Sequence, residues 1–281
     1  MNEIAIAGLV MTGIAGFFGV VLALANRFFR VVEDPRIDVV EGKLPGTNCG
    51  ACGEPGCRSF AEALVKGASV PGKCTVSTPA AIEDVASVLG VDADFQEKRT
   101  ARLHCAGGKS AVRRLADYQG ESSCRAAFVV NGGGRACSWG CLGLGDCDVV
   151  CTFDAIHMND EGLPVVDVEA CTACGDCVDV CPLDLFTLEA VSTEIIVQCS
   201  SPLAGEGARL ACEVACDACG RCALDAQEGA VEITGGLAVV RSPSRATEEC
   251  TFRCPTGAIA VVHGDQFQEM ELTQLRRSRH A

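Results

Sequence analysis

Residues 171 to 182 read CTACGDCVDVCP, four cysteines within eleven residues and then a proline. A thiol can attack a substrate, pair with another thiol or ligate a metal, and spacing separates these uses. The chain holds 21 cysteines in 281 residues but only 4 histidines. An odd count gathered into C-x2-C runs makes a poor disulfide scaffold, because thiols so close in sequence bridge badly and grip a single metal centre well. Structural zinc usually takes two separate C-x2–4-C pairs, or cysteine with histidine. Cys171, Cys174 and Cys177 instead put three thiols in seven residues, with Cys181-Pro182 close behind. Three close thiols can wrap one face of an iron–sulfur cube, leaving the fourth free to reach another.

This run resembles the C-x2-C-x2-C-x3-C-P run of bacterial ferredoxins, whose fourth cysteine ligates the neighbouring cluster. The crossover rule demands a partner run, and Cys137, Cys141, Cys147 and Cys151 (CSWGCLGLGDCDVVC) supply it with looser spacing. The expected 4Fe–4S quartets are then Cys137, Cys141, Cys147 and Cys181, and Cys171, Cys174, Cys177 and Cys151. A strictly local centre from residues 137, 141, 147 and 151 is the rival. Thr152 stands where proline would usually follow the first run.

The same rule applied further on finds Cys216, Cys219, Cys222 and Cys254-Pro255 intact, whereas the companion set has Ala226, Ser244 and Thr247 beside Cys250. All the losses fall on one cluster and the surviving thiols complete the other. A second ferredoxin-like unit with one emptied site is expected, with Cys250 a leftover thiol. Upstream, Cys49, Cys52, Cys57 and Cys74 form another quartet, with Gly50, Gly53 and Gly56 allowing a tight loop; zinc is the alternative there. Cys105, Cys124, Cys199 and Cys212 remain, each ahead of a cysteine run. They are either a fifth cluster or four structural thiols, and both readings stay open. The count is four 4Fe–4S clusters, or five.

The elements that must position these thiols begin with a membrane segment. Ile4 to Ala25 contains no charged residue over 22 positions, enough helix to cross a hydrocarbon core of roughly 30 Å. Arg27, Arg30, Arg36 and Lys43 follow it and Glu3 precedes it. The positive-inside rule puts the N-terminus outside and the remainder in the cytoplasm. A cleaved signal peptide ending near Ala25 is the rival, but it lacks a basic leader and would export free thiols. Gly8, Thr12 and Gly16 form a small-residue face suited to a neighbouring helix.

Residues 31–44 read as a polar connector. A compact cysteine module follows, with short helices over Arg58–Lys66 and Ala81–Leu89, the second stopped by Gly90. Asp92 to Arg102 reads as a charged link. Beyond it, cysteine loops alternate with strand pairs: 155–158 with 164–167, 185–189 with 194–197, and 231–234 with 237–240. The fold class is α+β: one N-terminal transmembrane helix (1–30), a small helical Fe–S module (31–92), then tandem ferredoxin-like units (93–200 and 201–281).

Charge excludes some functions. A formal net charge of −14 argues against nucleic acid, which needs a basic footprint. From Ala136 to Ala208 there are thirteen Asp and Glu and no Lys or Arg. Negative charge near a redox centre lowers its potential. Lys98, Arg99, Arg102, Lys109, Arg113 and Arg114 form a local basic stretch, either a docking patch for an acidic carrier or a charge-balanced surface. No nucleotide-binding fingerprint is present; 131–134 (NGGG) lacks the Lys-Ser/Thr of a phosphate loop. The four histidines, His104, His157, His263 and His280, are scattered. The chain shows no substrate chemistry of its own, so bound cofactors carry the reaction.

One membrane helix, then LPGTNCGACGEPGCRSFAEALVKG with its distant Cys74, then CLGLGDC, FDAI, GLPVVD and CTACGDC, together resemble the B subunits of Rnf electron-transport complexes, in their longer form with extra clusters. The resemblance spans nearly the whole chain, and the Cys49–Cys74 module behind a membrane helix is its most specific part. It implies an electron-transfer subunit of a translocase in a bacterial or archaeal cytoplasmic membrane. Such a subunit faces the cytoplasm, takes electrons from reduced soluble ferredoxin and assembles with other membrane subunits. Electron flow towards NAD+ in the complex is coupled to Na+ or H+ movement. The emptied site departs from a full second unit. The contrasting reading is a membrane-anchored sensor or scaffold that binds zinc or one labile cluster and relays nothing.

Overall fold

A computed structural model describes residues 2–29 and 33–268; Arg30, His280 and the start of the expected connector lie outside the described residues. Helix α1 (Asn2–Phe29) is the apolar segment. It is long and apolar enough to cross a membrane, and nothing from Ala5 to Phe29 is buried against the rest of the chain. Arg27 sits in its last turn.

Three helices, α2 (Pro35–Glu41), α3 (Cys57–Val65) and α4 (Pro79–Leu89), build the first cysteine module. Helix α2 corrects the expected connector. Asp34 caps it by accepting from the Arg36 amide, and Pro35 opens the first turn, where a missing N–H costs nothing. Ile37 and Val40, three apart on one face, are buried against Phe60, Ala61 and Leu64 of α3 and Val85 of α4. Arg58 ties α3 to α2 through Asp38 at 3.2 Å and Glu41 at 2.7 Å, and to Glu33. Thr78 caps α4, and Gly90 ends it in the left-handed region at φ 67°, a conformation glycine adopts at little cost.

The remaining chain runs β1 (Arg99–Leu103), α5 (Cys124–Val129), α6 (Asp146–Val150), β2 (Ile156–Met158), β3 (Pro164–Val166), α7 (Asp176–Val180), β4 (Phe186–Ala190), β5 (Ile195–Val197), α8 (Gly205–Ala211), α9 (Arg221–Asp225), β6 (Val231–Thr234), β7 (Leu237–Val240), α10 (Glu249–Phe252) and β8 (Ile259–Val261). Strands β2 and β3 form the expected hairpin, as do β6 and β7. The pair expected between 185–189 and 194–197 does not form. Instead β4 is antiparallel to β1, with Leu103 opposite Phe186, and β5 is antiparallel to β8, with Val197 opposite Ile259. The topology is therefore the same twice: an inner hairpin, and an outer pair made from strands remote in sequence. This is the α+β ferredoxin-like arrangement in tandem.

Two expectations change with it. The end of the charged link is a buried strand, with Thr100 to Leu103 all inside. Strand β5 falls before the boundary expected at residue 200, yet it pairs with the second unit. Both faces of β1 are covered because the chain's return segment packs on it. Arg102 donates to the Gly264 carbonyl at 2.6 Å, Gln266 exchanges hydrogen bonds with the Leu103 backbone at 2.9 Å each way, and Phe267 enters the first unit's core. Arg102 is thus removed from any surface patch. His104 is also spoken for, its ring nitrogens lying 2.7 Å from the Val197 carbonyl and 2.7 Å from the Thr187 hydroxyl. The cores are poor in aromatics, and cysteines occupy interior positions in all three.

Candidate metal centres

Turn chemistry aims the thiols. In CTACGDC and its repeat CDACGRC, Ala173 and Ala218 both take φ 56°, and Gly175 and Gly220 take φ 99° and 75°. Each glycine then caps a short helix, α7 or α9. A non-glycine residue at positive φ is strained, and the same strain at matched positions marks a loop shaped to bring three thiols round one point. Backbone amides also donate to sulfur: Cys141 to Cys105 at 3.2 Å, Ala155 to Cys151 at 3.3 Å and Ser201 to Cys199 at 3.5 Å. Amides directed at sulfur suit a thiolate bearing metal charge, and they are one of the levers on a cluster's potential.

Three recesses are each lined by four thiols. One has Cys151, Cys171, Cys174 and Cys177. A second has Cys216, Cys219, Cys222 and Cys254. The third has Cys141, Cys147, Cys181 and, in the place expected for Cys137, Cys124. Among the described residues no three His, Cys, Asp or Glu groups close on a single ion. Thiols around a wider recess fit the polynuclear cube better than a lone zinc, whose ligands would stand about 2.3 Å from one point.

The exchange of Cys124 for Cys137 is the main correction to the expected grouping, and its cause is local. The Asp146 carboxylate, at the first residue of α6, accepts from the Cys124 amide at 2.9 Å, the Arg125 amide at 3.2 Å and the Ser123 hydroxyl at 3.1 Å. That clamp holds the start of α5 against Cys147, one residue beyond Asp146. Cys137 goes elsewhere because its approach is pinned to another segment, the Ala136 amide donating to the Arg113 carbonyl at 2.9 Å. It joins Cys199 and Cys212 in the second unit's core.

Cys105 completes that group. A Cβ placed on Gly107 would lie 3.2 Å from the Cys212 sulfur and 3.5 Å from the Cys105 sulfur, and one on Gly140 would lie 3.4 Å from Cys137 and 3.6 Å from Cys105. The isolated thiols therefore do converge as a fourth group, Cys105, Cys137, Cys199 and Cys212, with Cys137 in the place expected for Cys124. In the first module, Cys52 feels both Cys74 and Cys49. Cys57 opens α3 with its amide on the Asn48 side chain at 2.8 Å, and Ser77 donates to Cys74 at 3.1 Å.

Burial and mutual repulsion act together on these thiols. Burial, then the neighbouring Cys124, pushes Cys147 up to about 12; burial, then Cys171 and Cys174, does the same to Cys177. Cys212 is pushed up to about 12 and Cys222 to about 11, again by burial first and by other cysteines. Thiols so reluctant to ionise alone gain most from a cation that discharges them, since metal binding releases their protons. Cys219 is the exposed member of its quartet.

Cys250 does not line the recess of Cys254. It is fully buried in the second unit's core, against which Ala226 and Ala246 of the depleted companion set's neighbourhood also pack. The groups that sequence reasoning missed are Asp146 and Arg135. The Asp-Cys dipeptide opening α6 was the available sign of the first; nothing in the pattern flagged the second.

Residues 44–76 match the family described as a putative Fe-S cluster, and residues 164–187 match the 4Fe-4S binding domain. Over 257 residues the chain is 40% identical to the B subunit of the Na(+)-translocating ferredoxin:NAD(+) oxidoreductase complex of Acetobacterium woodii, covering 90% of this chain and 77% of the relative. It is 40% identical over 276 residues to the B subunit of the proton-translocating ferredoxin:NAD(+) oxidoreductase complex of Clostridium ljungdahlii, covering 96% of each. It is 34% identical over 253 residues to the B subunit of the ion-translocating oxidoreductase complex of Methanosarcina acetivorans, covering 90% of this chain and 96% of the relative. With thiol-lined recesses, an apolar N-terminal helix and likeness over most of its length, the chain belongs to the B subunits of the Rnf-type ion-translocating ferredoxin:NAD+ oxidoreductase complexes.

Proposed function

We propose that the chain is the membrane-anchored electron relay of such a complex, with five 4Fe–4S sites held by Cys49, Cys52, Cys57 and Cys74; by Cys151, Cys171, Cys174 and Cys177; by Cys124, Cys141, Cys147 and Cys181; by Cys105, Cys137, Cys199 and Cys212; and by Cys216, Cys219, Cys222 and Cys254. When bound, each centre takes up and gives back one electron. The chain's own work is to hold the sites in sequence, shield them from water and bias their charge.

The observation that carries this reading is that four of the quartets stand in line. Cys177 feels Cys147 of the next quartet. The Cys141 amide donates to the Cys105 sulfur of the one after, at 3.2 Å. Cys216 feels Cys199, linking that quartet to the last. A line of sites joined by ligand-to-ligand contacts is the arrangement a relay needs and a zinc scaffold does not.

Reduced ferredoxin is the donor in this reading, and the other membrane subunits receive the electrons on their way to NAD+, with Na+ or H+ moved in the process. Arg27 and the positive residues after α1 set the cysteine domains on the cytoplasmic side. Iron and acid-labile sulfide are counted in the anaerobically purified chain. About twenty of each per chain is expected from five centres. Four or fewer, or zinc in place of iron, would end the relay reading.

A further inference from the structure

Arg135 lies at the junction of two quartets. Its guanidinium donates to the Cys141 carbonyl, to Gly107 O at 2.8 Å and to Gly108 O at 3.2 Å. Cys141 belongs to one quartet, and Gly107 follows Cys105 of the next. One cation therefore holds both ligand loops at their point of contact. Its backbone is fixed as well, in an antiparallel bridge to Arg114. Lys109, Arg114 and Glu161 line the recess beside it, but among these Arg135 alone donates to the two ligand loops at their junction.

We propose that Arg135 is a positioning residue that raises the potentials of the two centres it joins, the Cys124–Cys141–Cys147–Cys181 centre and the Cys105–Cys137–Cys199–Cys212 centre. Reduction of either adds one negative charge and no proton is needed. A fixed cation in a part-buried setting stabilises the reduced form through Coulomb attraction that water screens weakly. Because it serves both centres, the step between them keeps a small driving force while the pair is held above what the surrounding acid alone would impose. The inference rests on the cluster reading given above.

The test is an anaerobic redox titration followed by electron paramagnetic resonance on the full-length chain in detergent. R135Q removes the charge and keeps an amide donor on a shorter side chain; R135K keeps the charge and loses the fork. In R135Q two signals are expected to titrate at lower potential, the others staying in place, and in R135K the two should lie near the wild-type values. Leu144 lines the recess beside Arg135, so L144E would counter the guanidinium without cutting its hydrogen bonds. It serves if R135Q loses iron, and the same two signals should again fall. Unchanged potentials in an iron-replete R135Q or in L144E, or an R135K shift as large as that of R135Q, would overturn the proposal. A wild-type chain without signals from these two centres would instead sink the cluster assignment, and this inference with it.

Discussion

The amide of Cys141 donates to the sulfur of Cys105 at 3.2 Å, although the two residues belong to different thiol quartets. A ligand of one site thus supports a ligand of the next through its own backbone. Cys216 in turn feels Cys199. In the proposed grouping the Cys105 quartet therefore lies between its two neighbours, one of them contributing a main-chain hydrogen bond to it.

The exchange of Cys124 and Cys137 has a counting consequence. If Cys124 and Cys181 serve one site, C124S/C181S loses about four iron per chain, as either single variant does, because a 4Fe–4S centre is lost only once. C137S/C181S should lose about eight, since its two thiols serve different sites. The grouping read from spacing, with Cys124 in a fifth cluster, predicts the opposite pattern; with Cys124 a structural thiol it predicts about four iron lost from each double variant. Anaerobic iron and sulfide counts on the four variants decide between them.

The Asp146 clamp makes a second prediction. Three donors converge on its carboxylate, and hydrogen bonds to a charged group are worth about 1.5–3 kcal/mol. D146A should free the start of α5 and leave the Cys124 site weakly held. The expected result is faster iron release to a chelator, by at least tenfold, with the Cys151 site unaffected. Release at the wild-type rate would show that Cys124 needs no such anchor.

Cys250 should behave as packing and not as a ligand. It is fully buried, and burial raises its pKa above the ordinary thiol value, helped by Glu249 and Asp225. A group with a raised pKa stays protonated, hence unreactive, until pH climbs past its usual range. At pH 8 the native chain should leave Cys250 unalkylated, with labelling appearing only on unfolding. C250A should keep its full iron while costing about 1 kcal/mol of packing, whereas C254A should lose about four iron. Equal iron loss from both variants would restore Cys250 as a ligand.

What the sequence disclosed and what it hid follow from range. The two CxACGxC loops were legible because three ligands of each lie within seven residues, where turn geometry is local. Hairpins β2–β3 and β6–β7 were legible for the same reason. Helix α2 escaped because two apolar residues, Ile37 and Val40, carry its buried face among charged neighbours. The outer pairs β1–β4 and β5–β8 join residues about 90 and 60 apart, and nothing local announces such pairing. The Cys124 exchange depends on a carboxylate 22 residues away. Spacing could show that every thiol had a use, but not which partners a distant hydrogen bond would select.

Gly107 and Gly140 offer a paired steric test of the Cys105 site. Neither needs a left-handed backbone, so alanine is compatible with both conformations and only space decides. At Gly107 the added Cβ would stand 3.2 Å from the Cys212 sulfur, with Val112 at 3.4 Å and Cys105 at 3.5 Å. Only the Cys212 sulfur stands closer than ordinary contact, and it has little room to yield because Cys212 and Val112 are both buried. Overpacking of this kind costs typically about 1–3 kcal/mol. Cys105 accepts from the Cys141 amide at 3.2 Å, so any shift of the loop weakens that support. At Gly140 the nearest atoms lie at 3.4 and 3.6 Å, ordinary contact distances that ask little of the neighbours. G107A should therefore fold yet release about four iron first during chelation, with the signal of one centre broadened or lost. G140A should stay within about 0.5 kcal/mol of wild type and keep its iron. If G140A proved the more damaging of the two, the thiol placement around Cys105 would have to be redrawn.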